Sequence, residues 1–261
     1  MTSPLRVTVC QLDSRDTHRA AALEALAEHA RRERSDLVLL PELPFSTWLA
    51  VGRTPDEGAW RAGVEEHHAG VASLARLGLP AVVATRPTIE PDGSWHNQAF
   101  TWTAHSGAVR VRDKYYLPDE PGYWESSWYD RGELSHATTR LAGVVVGVPI
   151  CTDLWFMEGA RTYARDGVEL LCLPRATPSS TVPKWLAGGQ VAAVCAGAYC
   201  LSSNQWVPGG TALDHGGPGW VVDPDGEVLA TTSNERPFVT VQVDLDVARR
   251  AKSTYPRYVR E

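Results

Sequence analysis

Cysteine is scarce in this chain: five in 261 residues, odd in number, with no Cys-x-x-Cys spacing. That excludes a disulfide framework and a thiolate zinc site, and fits reduced thiols in a cytosol. The eight histidines are scattered. His67 and His68 are adjacent in an expected helix, where neighbours face different directions, so no metal site is expected there. No apolar run approaches the ~20 residues of a membrane span. No basic segment leading into an apolar stretch opens the sequence, so no secretory signal is expected. Positive charge is not in excess: 25 Lys and Arg stand against 31 Asp and Glu, a net −6. This argues against a nucleic-acid partner. Gly209-Gly210 and Gly216-Gly217 do not form a phosphate-binding GxxxxGK pattern, so no nucleotide is expected. Repeats at solenoid periods, low-complexity tracts and linkers are also absent. What remains is one soluble, cytoplasmic domain over 1–261, with ample chain for a core.

What is present is an alternation of strands and helices. Leu5 to Leu12 reads as a strand. Thr17 to Arg34 carries Ala21, Leu23, Leu26, Ala27 and Ala30 at helical spacing. Leu37 to Leu40 is a short strand, Ala59 to Leu77 a helix, and Ala81 to Thr85 a strand. Pro91-Asp92-Gly93 turns a hairpin into the strand from Gln98, and Asp223-Pro224-Asp225-Gly226 turns another. Leu141 to Ile150 reads as one strand buried on both faces, and the segment from Trp155 as the start of a helix. Leu170 to Leu173 is a strand ending in the loop Pro174-Arg175-Ala176-Thr177. Lys184 to Ala198 is helical and Tyr199 to Ser203 a strand. Strands, helices and hairpins together make an α/β chain with a mixed sheet.

Three chemically competent side chains stand at the ends of expected strands. Cys151 follows Gly147-Val148-Pro149-Ile150, at the turn into a helix. Open α/β sheets bind ligands at that edge, and a helix N-terminus favours a thiolate and an oxyanion. Glu42 follows Leu37 to Pro41. Lys114 follows the alternating run Val109 to Asp113. Singly, each has a bland reading: a packing thiol, a solvated carboxylate, an exposed cation. Together they supply a nucleophile, a base and an oxyanion-stabilising cation. A carboxylate in a poorly solvated pocket gains proton affinity and can take a thiol's proton. A fixed lysine can hold the charge of a tetrahedral intermediate. No histidine stands at a comparable strand end, so a Cys–His dyad is not indicated. The loop from Tyr115 to Tyr129 is dense in aromatics, and reads as a wall that desolvates the three.

On these motifs the chain resembles the nitrilase superfamily, the carbon–nitrogen hydrolases. The motifs are Pro41-Glu42, Asp113-Lys114 with Leu117-Pro118, and Ile150-Cys151-Thr152-Asp153. The opening Val7 to Leu12, Ser203-Asn204 and Gly219 to Gly226 extend the likeness over nearly the whole chain. The resemblance implies a Glu42–Lys114–Cys151 triad, a four-layer α-β-β-α sandwich, and a homodimer in which two sandwiches stack. It implies no metal and no organic cofactor.

The loop Leu117 to Glu125, with Pro121-Gly122-Tyr123-Trp124-Glu125, is similar to that of N-carbamoyl-amine amidases of the N-carbamoylputrescine type. This implies Glu125 as a second active-site glutamate that positions the lysine and the substrate. Trp155, in Asp153-Leu154-Trp155-Phe156, suits the same branch. Departures are Glu120 where the branch has glycine, Met157 for proline, Tyr116 for histidine, Gln205 for an arginine after Ser-Asn, and a glycine-rich 208–218. The substrate-binding candidates are the Thr152 N–H, Tyr123, Trp124, Trp155 and Glu120. The expected reaction is thiol-dependent hydrolysis of an amide or N-carbamoyl group in a small molecule. The alternatives are a nitrilase acting on a nitrile and a non-catalytic binding protein that kept the fold. Asp119 and Glu120 add negative charge at the pocket mouth, which favours a substrate with a cationic far end.

Overall fold

A computed structural model describes residues 4–207 and 213–259. The expectation for Gly209-Gly210 lies outside the described residues. The chain opens with β1 (Leu5–Asp13), α1 (Asp16–Arg32), β2 (Leu37–Leu39), α2 (Glu57–Leu77), β3 (Ala81–Ile89), β4 (Trp95–Thr103) and β5 (Gly107–Asp113). It continues with α3 (Glu125–Trp128), β6 (Thr138–Leu141), β7 (Val144–Gly147), α4 (Met157–Arg165) and β8 (Leu170–Arg175). It ends with α5 (Val182–Ala196), β9 (Tyr199–Trp206), β10 (Trp220–Val222), β11 (Val228–Thr231), β12 (Phe238–Val243) and α6 (Leu245–Ala251).

Alternation along the strands builds the layers. Leu37 and Leu39 of β2 point into a core shared with Val146, Leu171 and Leu201 of the second sheet. Val38 and Leu40 point the other way, onto Leu23 and Leu26 of α1 and Leu74 of α2. A strand of period two must split its side chains like this, so β2 is apolar on both faces. On the far side, Tyr163 of α4 and Trp185, Ala192 and Ala196 of α5 close the second sheet. The order is helices, sheet, sheet, helices: the four-layer sandwich expected from the motifs.

Strand direction places the site. β1, β2 and β3 are parallel, and β4 and β5 are each antiparallel to the strand before. The last residues of β1 pair in parallel with β9, which pairs in parallel with β8, and β8 with β7. β2, β5, β7, β8 and β9 therefore all point their C-terminal ends to one edge. Glu42, Lys114 and Cys151 follow three of those ends.

The structure corrects several local expectations. Leu141 to Ile150 is not one strand. β6 and β7 form an antiparallel hairpin around Ala142 and Gly143, with φ of 51° and 83°. Two consecutive left-handed residues make the tight turn whose twist matches paired strands. A single glycine among valines concealed it. After Cys151 the chain forms a 3₁₀ turn over Cys151–Trp155, and α4 starts only at Met157. β8 runs on through Pro174 and Arg175, paired with Ser203 and Asn204. Proline's missing N–H had read as a strand end. β12 and α6 carried no strong local signal; β12 is held by antiparallel pairing along β1 from Leu5 to Cys10.

Candidate active site

The Glu42 backbone is held on both sides of its side chain. Its N–H donates to Arg175 O at 3.2 Å, and Gln205 Nε2 donates to its carbonyl at 2.8 Å. Leu43, next in line, sits at φ 47° with its N–H on Thr85 Oγ1. Lys114 extends the β4–β5 ladder through its N–H to Asn97 O at 2.8 Å. Its side chain turns inward, and Nζ donates to Glu42 Oε1 at 2.8 Å and to both Glu125 oxygens at 2.8 and 2.7 Å. Asn97 Nδ2 also donates to Glu42 Oε1, at 2.8 Å. Glu42 Oε2 is buried and has no partner. All three ionic side chains are at most 1% exposed.

Cys151 has φ 46°, a conformation that costs a non-glycine residue energy and that recurs at functional turns. The turn is held by Asp153, whose carboxylate accepts from the N–H groups of Ile150 and Tyr116 and pairs with Arg112. The Ala176 N–H, just past the end of β8, acts on the Cys151 thiol and favours its ionised form.

The electrostatics of the cluster set the protonation of the thiol. Burial, then the Glu42 charge, pushes the Cys151 thiol well above its usual range; Lys114 and the Ala176 N–H pull it back only in part. The resting sulfur carries its proton in the field of the Glu42 carboxylate, whose Oε2 has no partner. Burial works against the Lys114 charge, but Glu125 and Glu42 outweigh it and hold the ammonium protonated. Glu125 is raised to about 8, first by burial and then by Glu42, because two carboxylates share one ammonium.

The four candidates Glu42, Lys114, Glu125 and Cys151 thus meet in one cluster. Of the substrate-binding candidates, Thr152 adjoins the sulfur and its hydroxyl donates to Tyr116 O at 2.8 Å. The Tyr123 phenol lies in the field of Cys151 and Glu42, and its O–H has no partner. The other three have contacts of their own. Trp124 lies under the Arg53 guanidinium, 4.9 Å from its ring centre. Trp155 is 42% exposed and packs on Trp185 of α5, because the 3₁₀ turn rotates it outward. Glu120 is exposed at the tip of a small hairpin with Tyr123.

Sequence reasoning missed Asn97, Tyr129 as an individual group, Arg175 and His215. Tyr129 is fully buried, with an unpartnered O–H in the field of Glu125, Glu42 and Cys151. His215 is 2% exposed, packs against Trp48 and Tyr123, and burial lowers it to about 4. A charged residue ending an otherwise apolar strand was the available signal for Arg175; Asn97, between His96 and Gln98, had none. Among the described residues no His, Cys, Asp and Glu cluster could hold a metal ion, and no helix is long and apolar enough to cross a membrane.

The family model described as carbon-nitrogen hydrolase matches residues 6–253. The chain belongs to the carbon–nitrogen hydrolase family. This hydrolase is similar to N-carbamoylputrescine amidase of Arabidopsis thaliana, with 25% identity over 252 residues, 90% of this chain and 84% of the relative. It is 30% identical over 260 residues to a glutamine-dependent NAD(+) synthetase of Rhodobacter capsulatus, covering 94% of this chain but 44% of that protein. Its fold matches the crystal structure of a carbon-nitrogen hydrolase from Helicobacter pylori G27 with a TM-score of 0.83 at 21% identity, covering 99% and 95% of the two chains. The carbon–nitrogen hydrolase fold thus carries the cluster at its sheet edge, and amidases are among its relatives.

Proposed function

We propose that this hydrolase cleaves an amide or N-carbamoyl group of a small molecule through a thioester on Cys151. One observation carries the reading: Lys114 Nζ ties up Glu42 Oε1 and Glu125, leaving Glu42 Oε2 as the open acceptor in the cluster of the protonated thiol. The sulfur attacks the carbonyl carbon as its proton passes to Glu42. Lys114 and the Thr152 N–H, at the start of its helical turn, hold the oxyanion. Glu125 orients Lys114 and the substrate amide. The C–N bond breaks, and the departing nitrogen takes the proton from Glu42. Glu42 then deprotonates a water that attacks the thioester. The C–S bond breaks and the thiol recovers its proton from Glu42.

The substrate we infer is linear, with an amine or guanidinium at its far end. Asp119 and Glu120 are exposed on the loop before Tyr123, and the charges of Glu120 and Asp214 reach its phenol. The Arabidopsis relative, an N-carbamoylputrescine amidase, fits that class by its name. The test is intact-mass trapping of the acyl-enzyme with a panel of amides, N-carbamoyl amines and nitriles, with amides ending in ammonium or methyl at equal length. Acylation by the first two classes, faster for the ammonium partner, is the expected result. Acylation by nitriles alone would reassign the substrate, and no adduct on Cys151 with any class would overturn the mechanism.

A further inference from the structure

Arg175 is the last residue of β8 and is 0% exposed. Its Nε donates to Ser202 Oγ at 2.7 Å, Nη1 to Thr177 Oγ1 at 2.7 Å, and Nη2 to the Pro218 carbonyl at 2.8 Å. All three acceptors are neutral. Its guanidinium carbon lies 4.0 Å from the centre of the Trp220 ring. No carboxylate among the described residues forms an ion pair with it. A buried charge without a counter-charge carries a large desolvation cost, so the protein needs a reason to keep it.

The backbone of the same residue supplies one. Arg175 O accepts the N–H of Glu42, and the N–H of the next residue, Ala176, acts on the Cys151 thiol and favours its ionised form. The expected base and the expected nucleophile both hang on the peptide segment that this side chain anchors. Charge points the same way. Glu42 and Glu125 share only Lys114, and Glu125 keeps a proton up to about 8, so any further negative charge formed on the sulfur needs support from another cation. Arg175 is a fixed cation within electrostatic reach of both Cys151 and Glu42.

We propose that Arg175 is a positioning residue for the hydrolysis. Its buried guanidinium supports the negative charge of Glu42, and of the sulfur once it loses its proton, and fixes the end of β8, which accepts the Glu42 N–H and leads into Ala176. It touches neither substrate nor reacting atoms. Burial lowers it to about 9, and interaction with Cys151, Cys200 and Glu42 opposes that loss. The titrating groups around the sulfur are Glu42 after β2, Lys114 after β5, Glu125 on α3, and the phenols of Tyr123 and Tyr129; Cys200 of β9 faces Arg175 itself.

The proposal rests on Cys151 as nucleophile, and the experiment separates the two claims. Iodoacetamide is reacted with the full chain over a range of pH, and alkylation of Cys151 is followed by peptide mass alongside turnover. In the wild type, alkylation at Cys151 must abolish turnover; if it does not, the nucleophile assignment fails, whatever Arg175 does. In Arg175→Met, the alkylation profile should move to higher pH, and the rate at neutral pH should fall about tenfold for each pH unit that the profile moves. kcat should fall while KM changes little. Arg175→Lys restores the charge and should recover most of the neutral rate. It should then lose that gain at higher pH, because a buried ammonium gives up its proton sooner. If Arg175→Met does not fold, the profile of Arg175→Lys alone decides, and a profile superimposed on wild type overturns the proposal. Equal losses in Met and Lys variants with an unmoved profile would also overturn it, since that is what loss of packing alone gives.

Discussion

Two buried ionic groups lie side by side at this sheet edge, and they are built differently. Arg112 and Asp153 form a one-to-one pair, with side chains 3% and 6% exposed. Arg112 Nε also donates to Ser135 O at 2.9 Å, and the Asp153 oxygens also accept from Ile150 and Tyr116 N–H groups at 3.1 Å. Charge and hydrogen bonds close within the pair. In the second group one ammonium serves two carboxylates, one Glu42 oxygen has no partner, and a protonated thiol stands in the same field. Burial is similar in both, so burial does not distinguish them. Satisfaction does: the closed pair shapes the Cys151 turn, and the open group retains capacity for a substrate and a moving proton.

The strongest way to break that comparison is at the sulfur. Cys151→Ala and Cys151→Ser are expected to reduce turnover to background, with the far-UV circular dichroism unchanged. Near-wild-type rates in the alanine variant would remove the open group's claim to chemistry. Next is the shared cation. Lys114→Met should lower kcat by roughly 10²-fold or more, because the oxyanion loses its charge partner. A change of only a few-fold would show that Lys114 is structural, like Arg112.

The comparison sharpens when the closed pair is opened. Arg112→Met leaves Asp153 buried without its cation, which should cost about 3–5 kcal/mol in denaturant unfolding. An unaffected midpoint would mean that this pair is not what holds the turn. A smaller effect is expected in the pH dependence of stability. Glu125 ionises near 4.5 in the unfolded chain and at about 8 in the fold. Between those values the folded state holds the extra proton, so the contribution is complete below about 4.5 and is lost as pH rises toward 8. Glu125→Gln should flatten the melting temperature across that window; an unchanged slope would place the surplus charge elsewhere. The smallest effect concerns thiols outside the cluster. Cys172→Ala and Cys200→Ala should each cost on the order of 1 kcal/mol and keep turnover measurable, since both side chains are buried in the core and neither is in the Glu42–Lys114–Glu125–Cys151 cluster.

What the sequence determined by itself was local or periodic. Strand alternation, helical spacing and turn chemistry place Glu42, Lys114 and Cys151 at strand ends, and those are properties of neighbouring residues. The motif order carried the family and with it the four layers. The tertiary structure decided whatever depends on residues far apart in the chain. Glu42 meets Lys114 across 72 positions, and Gln205 reaches the Glu42 carbonyl across 163. Asn97, Arg175, Tyr129 and His215 join the site only because the strands align their ends. Trp155 meets Trp185 of α5 only in the folded chain. The protonation of Cys151 was set at the same level, because a pKa sums burial and every nearby charge, and no local pattern carries that sum.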